Sequence, residues 1–318
     1  MTVSVIIPCY NAERFLTEAV ESALSQSFRD IQIILVDDGS ADGTPEVIRS
    51  FGSSVQALFS DHRGASAARN LGTRRAEGGF IQYLDADDLL WPDAVEKRVG
   101  ALERTGADVA YSDWQRWQED GEGRYRPGAV ISRRLEDIHR DPEIALFTDF
   151  WAPPAAILYR KSIVERIGAW NESLPVIQDA RFLLDAALRG GRFVHVSGVG
   201  ADYRRPRNET LSRRDSAAFV TDVFLNACQI EEEWSGSGGI TQERGAALVK
   251  VYGFVCRASF EKDRGTFEKA RCRLERREPG YVPSSPIRLA MASRVLGYDR
   301  AEHLAFWYRK IKKLVVGS

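Results

Sequence analysis

Five apolar runs, each five or six residues long, alternate with helical periodicities across the first 112 residues, and this alternation restricts the fold more than any other feature of the chain. The runs are Val3–Pro8, Ile31–Val36, Val55–Phe59, Phe80–Leu84 and Asp108–Ser112, each short enough for a buried strand. Between them, Glu13–Ser25 carries Phe15, Leu16, Ala19, Val20, Ala23 and Leu24 at helical spacing. A short helix is expected from Thr44-Pro45, capped by Asp42 or Thr44, and two more over Ala65–Glu77 and Ala94–Thr105. Strands and helices in this order build a mostly parallel sheet covered on both faces, an α/β fold. Right-handed crossovers then bring the carboxyl ends of the strands to one edge, where open α/β sheets place ligands.

That edge collects Pro8-Cys9-Tyr10-Asn11, Asp37-Asp38-Gly39-Ser40, Asp61-His62-Arg63-Gly64 and Asp85-Ala86-Asp87-Asp88. The last is the most informative, because an apolar strand ends there in three carboxylates within four positions. Like charges so close raise one another's pKa unless a cation sits between them. A hard divalent ion with oxygen ligands, accompanied by a substrate phosphate, answers that need. Capping of the helix that begins at Trp91-Pro92-Asp93 accounts for Asp88 or Asp93, but not for Asp85 and Asp87. The turn after the first strand contains no glycine, which excludes a dinucleotide-binding G-x-G-x-x-G turn and a P-loop.

Beyond residue 112 the pattern loosens. Trp114–Pro127 is polar and Gly-rich, a loop or hairpin. Order resumes with Ala155–Tyr159, a helix at Lys161–Ile167 stopped by Gly168, an amphipathic helix over Asp179–Arg189, and a strand at Phe193–Val196. No internal repeat is visible. Ser235-Gly236-Ser237-Gly238-Gly239 has linker composition and places the main boundary there, between a domain at 1–234 and a region at 240–318. Charge supports the division: residues 240–318 hold 17 Lys and Arg against 8 Asp and Glu, a net of +9, while the whole chain sums to −1 and residues 1–239 therefore to −10. The four cysteines show neither C-x-x-C pairing nor His partners, so reduced thiols in a cytoplasmic protein are expected. Val3–Ile7 is too short for a signal-peptide core, and no stretch approaches the ~20 apolar residues of a membrane-spanning helix.

Taken in order, Val3-Ser4-Val5-Ile6-Ile7-Pro8-Cys9-Tyr10-Asn11, Ile34-Leu35-Val36-Asp37-Asp38-Gly39-Ser40, Gly64-Ala65-Ser66-Ala67-Ala68-Arg69-Asn70 and Leu84-Asp85-Ala86-Asp87-Asp88 resemble the family 2 nucleotide-sugar glycosyltransferases. The resemblance covers roughly residues 3–215. It implies the GT-A fold, a Rossmann-like mostly parallel sheet, here followed by a C-terminal helical appendage. Residues 1–112 would be the nucleotide-binding half, and 113–234 the half carrying acceptor and base. The implied activity is inverting, metal-dependent transfer from a nucleotide-diphosphate sugar, UDP-linked, to a hydroxyl of a saccharide or lipid-linked acceptor in cell-surface polysaccharide or glycolipid synthesis. Nucleic acid is not an expected partner, and a homodimer is compatible.

Position by position, the resemblance puts Pro8, Tyr10, Asn11, Asp38 and Gly64 at the nucleotide, with Tyr10 stacking on the base and Asp38 accepting from a ring N–H. Taken without its neighbours, Tyr10 also reads as a core aromatic. Asp85, Ala86 and Asp87 match the D-x-D motif that holds ribose and a Mg²⁺ or Mn²⁺ bridging the diphosphate, with Asp87, assisted by Asp85, as metal ligand. Arg69 reaches phosphate or forms a helix-surface ion pair. Asp179 matches the catalytic base, and otherwise caps its helix. Two positions depart from the family: Gln178 stands where many relatives have Glu, which would lower the pKa of Asp179, and Tyr203-Arg204-Arg205-Pro206-Arg207 lacks a frequent His. Arg204, Arg205 or Arg207 would grip diphosphate in its place, or belong to a solvated basic loop. Trp114, Trp117, Trp151 and Trp170 stack on acceptor sugars or fill core.

In the basic tail, Leu304, Trp307, Tyr308, Ile311, Leu314 and Val315 recur at helical spacing with Arg309, Lys310, Lys312 and Lys313 between them. Such a stripe packs on protein, the favoured reading, or lies on an anionic membrane, which would put the enzyme at the inner face. Two other functions compete: a nucleotide-sugar binder without catalysis, suggested by Gln178, and a D-x-D phosphohydrolase, disfavoured by Asp88-Leu89 after the motif.

Overall fold

In the computed structural model, residues 1–205 and 215–316 are described, with side chains given up to Ile311. The chain divides into two compact units, Met1–Arg214 and Asp215–Ser318.

The first unit is built on one nine-stranded sheet in the order β3-β2-β1-β4-β8-β6-β9-β5, with β7 paired to β6. In chain order the elements are β1 (Val3–Cys9), α1 (Leu16–Leu24), β2 (Ile31–Asp38), α2 (Thr44–Ser50), β3 (Gln56–Ser60), α3 (Ala65–Thr73), β4 (Phe80–Tyr83), β5 (Leu89–Leu90), α4 (Ala94–Thr105), β6 (Val109–Glu119), β7 (Tyr125–Ile131), α5 (Pro142–Thr148), β8 (Ile157–Arg160), α6 (Lys161–Ile167), α7 (Gln178–Leu188) and β9 (Phe193–Arg205). The four strands β3-β2-β1-β4 are parallel, so the ends of β1, β2 and β4 share an edge; Cys9 lies beside Asp37 and Ile6 beside Tyr83. Val5, Ile6, Ile7, Ile34, Leu35, Val36 and Ile81 are buried, and α1 adds Leu16, Ala19, Val20 and Ala23 to the same core. β8 runs antiparallel to both β4 and β6, and β9 lies parallel to β6.

Three elements differ from expectation. The stretch 114–127 is the distal part of β6 and its antiparallel return β7. β9 continues nine residues past Val196, because Gly200 is not a breaker there: a Cβ at that position would lie 2.4 Å from Arg98 Nη2 and from Ser112 Oγ, so glycine lets the strand pass a buried arginine. α5 was not expected at all; Asp141 caps it, accepting from Glu143 N–H at 2.9 Å, and Pro142 begins it.

The second unit holds helices at Ser216–Gly236, Gln242–Ser259, Arg264–Arg277, Ile287–Leu296 and Tyr298–Val316. The division at 214/215 corrects the boundary expected at 235–239. A helix runs through Gly236, the next starts at Gln242, and Gly239 N–H donates to Trp234 O at 2.9 Å, so the glycine-rich stretch is a turn between two packed helices. The last helix, Tyr298–Val316, leaves its apolar stripe outward within this chain. Its inward face is Tyr298, Ala301 and Glu302, whereas Leu304, Trp307, Tyr308 and Ile311 are each more than half exposed. Leu314, Val315, Lys312 and Lys313 lie outside the residues whose side chains are described.

Candidate active site

The edge shared by β1, β2 and β3 is laced together by backbone contacts. Asn11, at φ +49°, accepts from Ala41 N–H at 2.8 Å while its own N–H donates to Ser40 Oγ at 3.0 Å. Pro8, opposite Val36 in the parallel register, leads into that turn. Asp38 is buried and holds the loop after β3: Oδ1 accepts from Arg63 N–H and Oδ2 from Gly64 N–H, both at 2.8 Å. Gly64 sits at φ +94°, a conformation that lets its N–H turn onto Asp38 just before α3 begins. His62 Nδ1 lies 2.8 Å from Asp38 Oδ2 and 3.1 Å from Asp38 O; two acceptors facing it put the proton on that nitrogen. Its ring stacks on Tyr10 with centroids 4.1 Å apart, so Tyr10 belongs to an exposed aromatic pair and not to the core.

At the end of β4 the charge is handled differently. Arg69, buried on α3, forms an ion pair with Asp85. Burial, reinforced by the charge of Asp85, pushes the Asp87 carboxyl up to about 6. Burial raises Asp88 well above the carboxylate range, with Asp87 and Asp85 adding to it. Asp88 Oδ1 accepts from Arg204 N–H at 2.9 Å, while Oδ2 is buried and has no hydrogen-bond partner among the described residues. Ala86 is buried between these carboxylates. Arg204 is neither a solvated loop residue nor free for diphosphate: it is buried, ion-paired with Glu18 on α1, and flanked by Phe15 and Tyr125 with ring centroids at 5.3 and 5.8 Å. Arg205 ends β9, and Arg207 lies outside the described residues.

Asp179 stands in the first turn of α7. Its Oδ2 accepts from Trp151 Nε1–H at 2.6 Å and its Oδ1 from Ala180 N–H at 2.8 Å. Burial raises its pKa, opposed by those two hydrogen bonds, and Asp85 adds a smaller upward push. The lowering expected from Gln178 is thus outweighed by desolvation. Gln178 Oε1 accepts from Ser66 Oγ–H at 2.7 Å and from Arg69 Nη1–H at 3.0 Å. Arg69 therefore spans from Asp85 to the residue preceding Asp179, and its ion pair is buried, not on the helix surface. Trp170 stacks on Phe182 at 4.2 Å beneath the Arg69 guanidinium, and Trp114 is likewise buried, so both fill core; Trp151 holds Asp179, and Trp117 stays partly exposed on β6.

Among the described residues, no group of three or more His, Cys, Asp and Glu side chains is placed to hold a metal. The β4 end nonetheless fits a hard divalent ion that takes its remaining oxygens from a phosphate ligand. It supplies carboxylate oxygens, an Asp87 raised by burial and by Asp85, and a buried Asp88 oxygen with no hydrogen-bond partner among the described residues. Sequence reasoning did not give the stacking of His62 on Tyr10, the bond from Trp151 to Asp179, or the contacts of Gln178 and Arg204. Only His62 carried a signal, since it sits in one of the four edge loops.

The chain is similar to known proteins. The sequence profile of glycosyl transferase family 2 matches residues 4–168. An uncharacterised glycosyltransferase of Rickettsia prowazekii is 27% identical over 298 residues, 92% of this chain and 85% of its own length. Glycosyltransferase GlyG of Streptococcus pneumoniae is 34% identical over 121 residues, 37% of this chain and 40% of that protein. Among solved structures, S. aureus TarS 1–349 in complex with UDP-GlcNAc superposes with a TM-score of 0.68 at 19% identity, covering 98% of this chain and 92% of that one. The mannosyltransferase PcManGT of Pyrobaculum calidifontis, in complex with GDP-Man and Mn²⁺, gives 0.55 at 16% identity over 97% and 87%. At these identities the superpositions establish the fold, which is GT-A. With the profile spanning more than half its length and the motif-bearing loops meeting at one sheet edge, the chain belongs to glycosyl transferase family 2.

Proposed function

We propose that this glycosyltransferase moves a sugar from a uridine-diphosphate donor to a hydroxyl acceptor with inversion, assisted by a divalent cation, in making a cell-surface polysaccharide or glycolipid. Support comes chiefly from one observation: the Arg69 guanidinium joins Asp85 at the end of β4 to Gln178, the neighbour of Asp179. The acidic pair suited to a diphosphate and the carboxylate suited to an acceptor hydroxyl are thereby held in a fixed relation.

In this proposal the Tyr10–His62 pair offers a flat face to the base, and Asp38, which keeps the 61–64 backbone in place, has acceptor capacity left for a ring N–H. Asp85, steadied by Arg69, would meet the ribose, and Asp87 would hold Mg²⁺ or Mn²⁺. A cation there supplies Lewis-acid neutralisation of the departing nucleoside diphosphate. Asp179 takes the proton of the acceptor hydroxyl as its oxygen attacks the anomeric carbon; the bond to the diphosphate breaks on the opposite face and its electron pair leaves with the phosphate. Trp151 and Ala180 N–H keep the carboxylate aimed. Gln178 does not argue for a catalytically dead binder, because its amide is engaged in orienting Arg69. Family membership leaves no ground for a phosphohydrolase.

The test is hydrolysis or transfer of UDP-sugars with Mn²⁺, after a thermal-shift screen to choose the donor. Loss of turnover with EDTA and in Asp87→Asn is expected. Turnover indifferent to chelation sinks the metal role, and full transfer by Asp179→Asn sinks the base.

A further inference from the structure

We infer that the last two helices, Ile287–Leu296 and Tyr298–Val316, form a docking surface for an anionic lipid bilayer. On the first, Ile287, Met291 and Val295 recur every four residues and are 74%, 62% and 82% exposed. On the second, Leu304, Trp307, Tyr308 and Ile311 form an outward stripe at spacings of three and four. Arg288 Nη1–H donates to Tyr308 Oη at 3.2 Å across the helix pair, so the two stripes are neighbours and make one apolar patch.

Charge selects the occupant. Residues 287–316 hold seven Lys and Arg against two acidic residues, and one of those, Glu302, is fully buried on the inward face. A second copy would bring the same positive excess against this one, whereas anionic headgroups complement it. The side chains suit an interface: Trp307 and Tyr308 have apolar bodies with polar tips, and Lys310 lies over the Trp307 ring at 5.4 Å, its stem along the patch. Among the described residues no helix is long and apolar enough to cross a membrane, so the helices would lie along the surface with their apolar side among the headgroups.

Flotation of the full chain with vesicles tests this. Binding is expected to phosphatidylcholine vesicles containing a quarter phosphatidylglycerol, to weaken in high salt, and to fall at least ~10-fold on pure phosphatidylcholine. The triple variant Met291→Glu/Val295→Glu/Trp307→Glu, at exposed positions, is expected to keep its melting temperature and lose binding ~10-fold or more. The milder Arg294→Ala/Lys310→Ala is expected to lose affinity for anionic vesicles only, which tests the charge term even if the triple variant folds poorly. Wild-type protein left in the lipid-free fraction, or a triple variant that folds and still floats, overturns the proposal. So does a wild-type dimer in sedimentation that the triple variant abolishes, since the patch would then be a protein interface. None of these outcomes bears on whether the first unit transfers sugar.

Discussion

Two acidic strand ends flank β1, and they treat negative charge in opposite ways. After β2, Asp38 is buried and each of its oxygens accepts a backbone N–H group, which fixes the 61–64 loop. After β4, Asp88 is buried with one oxygen unpartnered among the described residues, and burial together with neighbouring carboxylates pushes both Asp87 and Asp88 toward the protonated state. The same residue type on the same sheet edge is anchored where amides pair it and raised in pKa where neighbouring carboxylates crowd it, and in the proposed mechanism the second kind receives the cation.

The sharpest way to break this contrast is to remove charge from each side. Asp87→Asn should cut turnover ~10²–10³-fold, the scale for losing one preorganised charge contact. The cation-free protein should lose no stability by it, since a buried repulsion is relieved. Asp179→Asn should cost ~10²–10⁴ in transfer, as expected for a positioned base, while donor affinity measured by calorimetry stays within a few fold. Asp38→Ala should do the reverse of Asp87→Asn: it strands the Arg63 and Gly64 amides, costing about 2–3 kcal/mol in denaturant unfolding. An Asp38→Ala protein as stable as wild type would show that the two ends do not differ in the way proposed.

How far the sequence revealed this follows from the range of the interactions. The β1–β4 strands and their acidic ends were legible because short continuous apolar runs, turn residues and carboxylates lie within a few positions of one another. Distal β9 was not, because the fit of Gly200 beside Arg98 on α4 depends on a contact 102 residues away in the chain. The Ser235–Gly239 stretch has the composition of a linker and also of a helix–helix turn, and only packing distinguishes them. α5 carried a usable signal in Asp141-Pro142-Glu143 that was passed over. The contacts of Arg69 with Asp85 and Gln178, separated by 16 and 109 residues, have no local signature. Nor does the bond from Trp151 to Asp179, 28 residues apart.

That last bond yields the smallest effect. In the proposed mechanism Asp179 works only when ionised, so kcat/KM should fall as pH drops through its raised pKa, placing the acid limb above the usual ~3.9 of an aspartate. Trp151 Nε1–H stabilises the ionised form and so opposes that rise. Trp151→Phe keeps an aromatic ring but removes the donor; desolvation is then less opposed, and the acid limb should move to higher pH while the plateau rate changes little. A pH profile of kcat/KM for both proteins measures it. A limb that stays in place would mean that Trp151 only packs against Asp179, and that the carboxylate after β4, not the one on α7, governs the acid side of the profile.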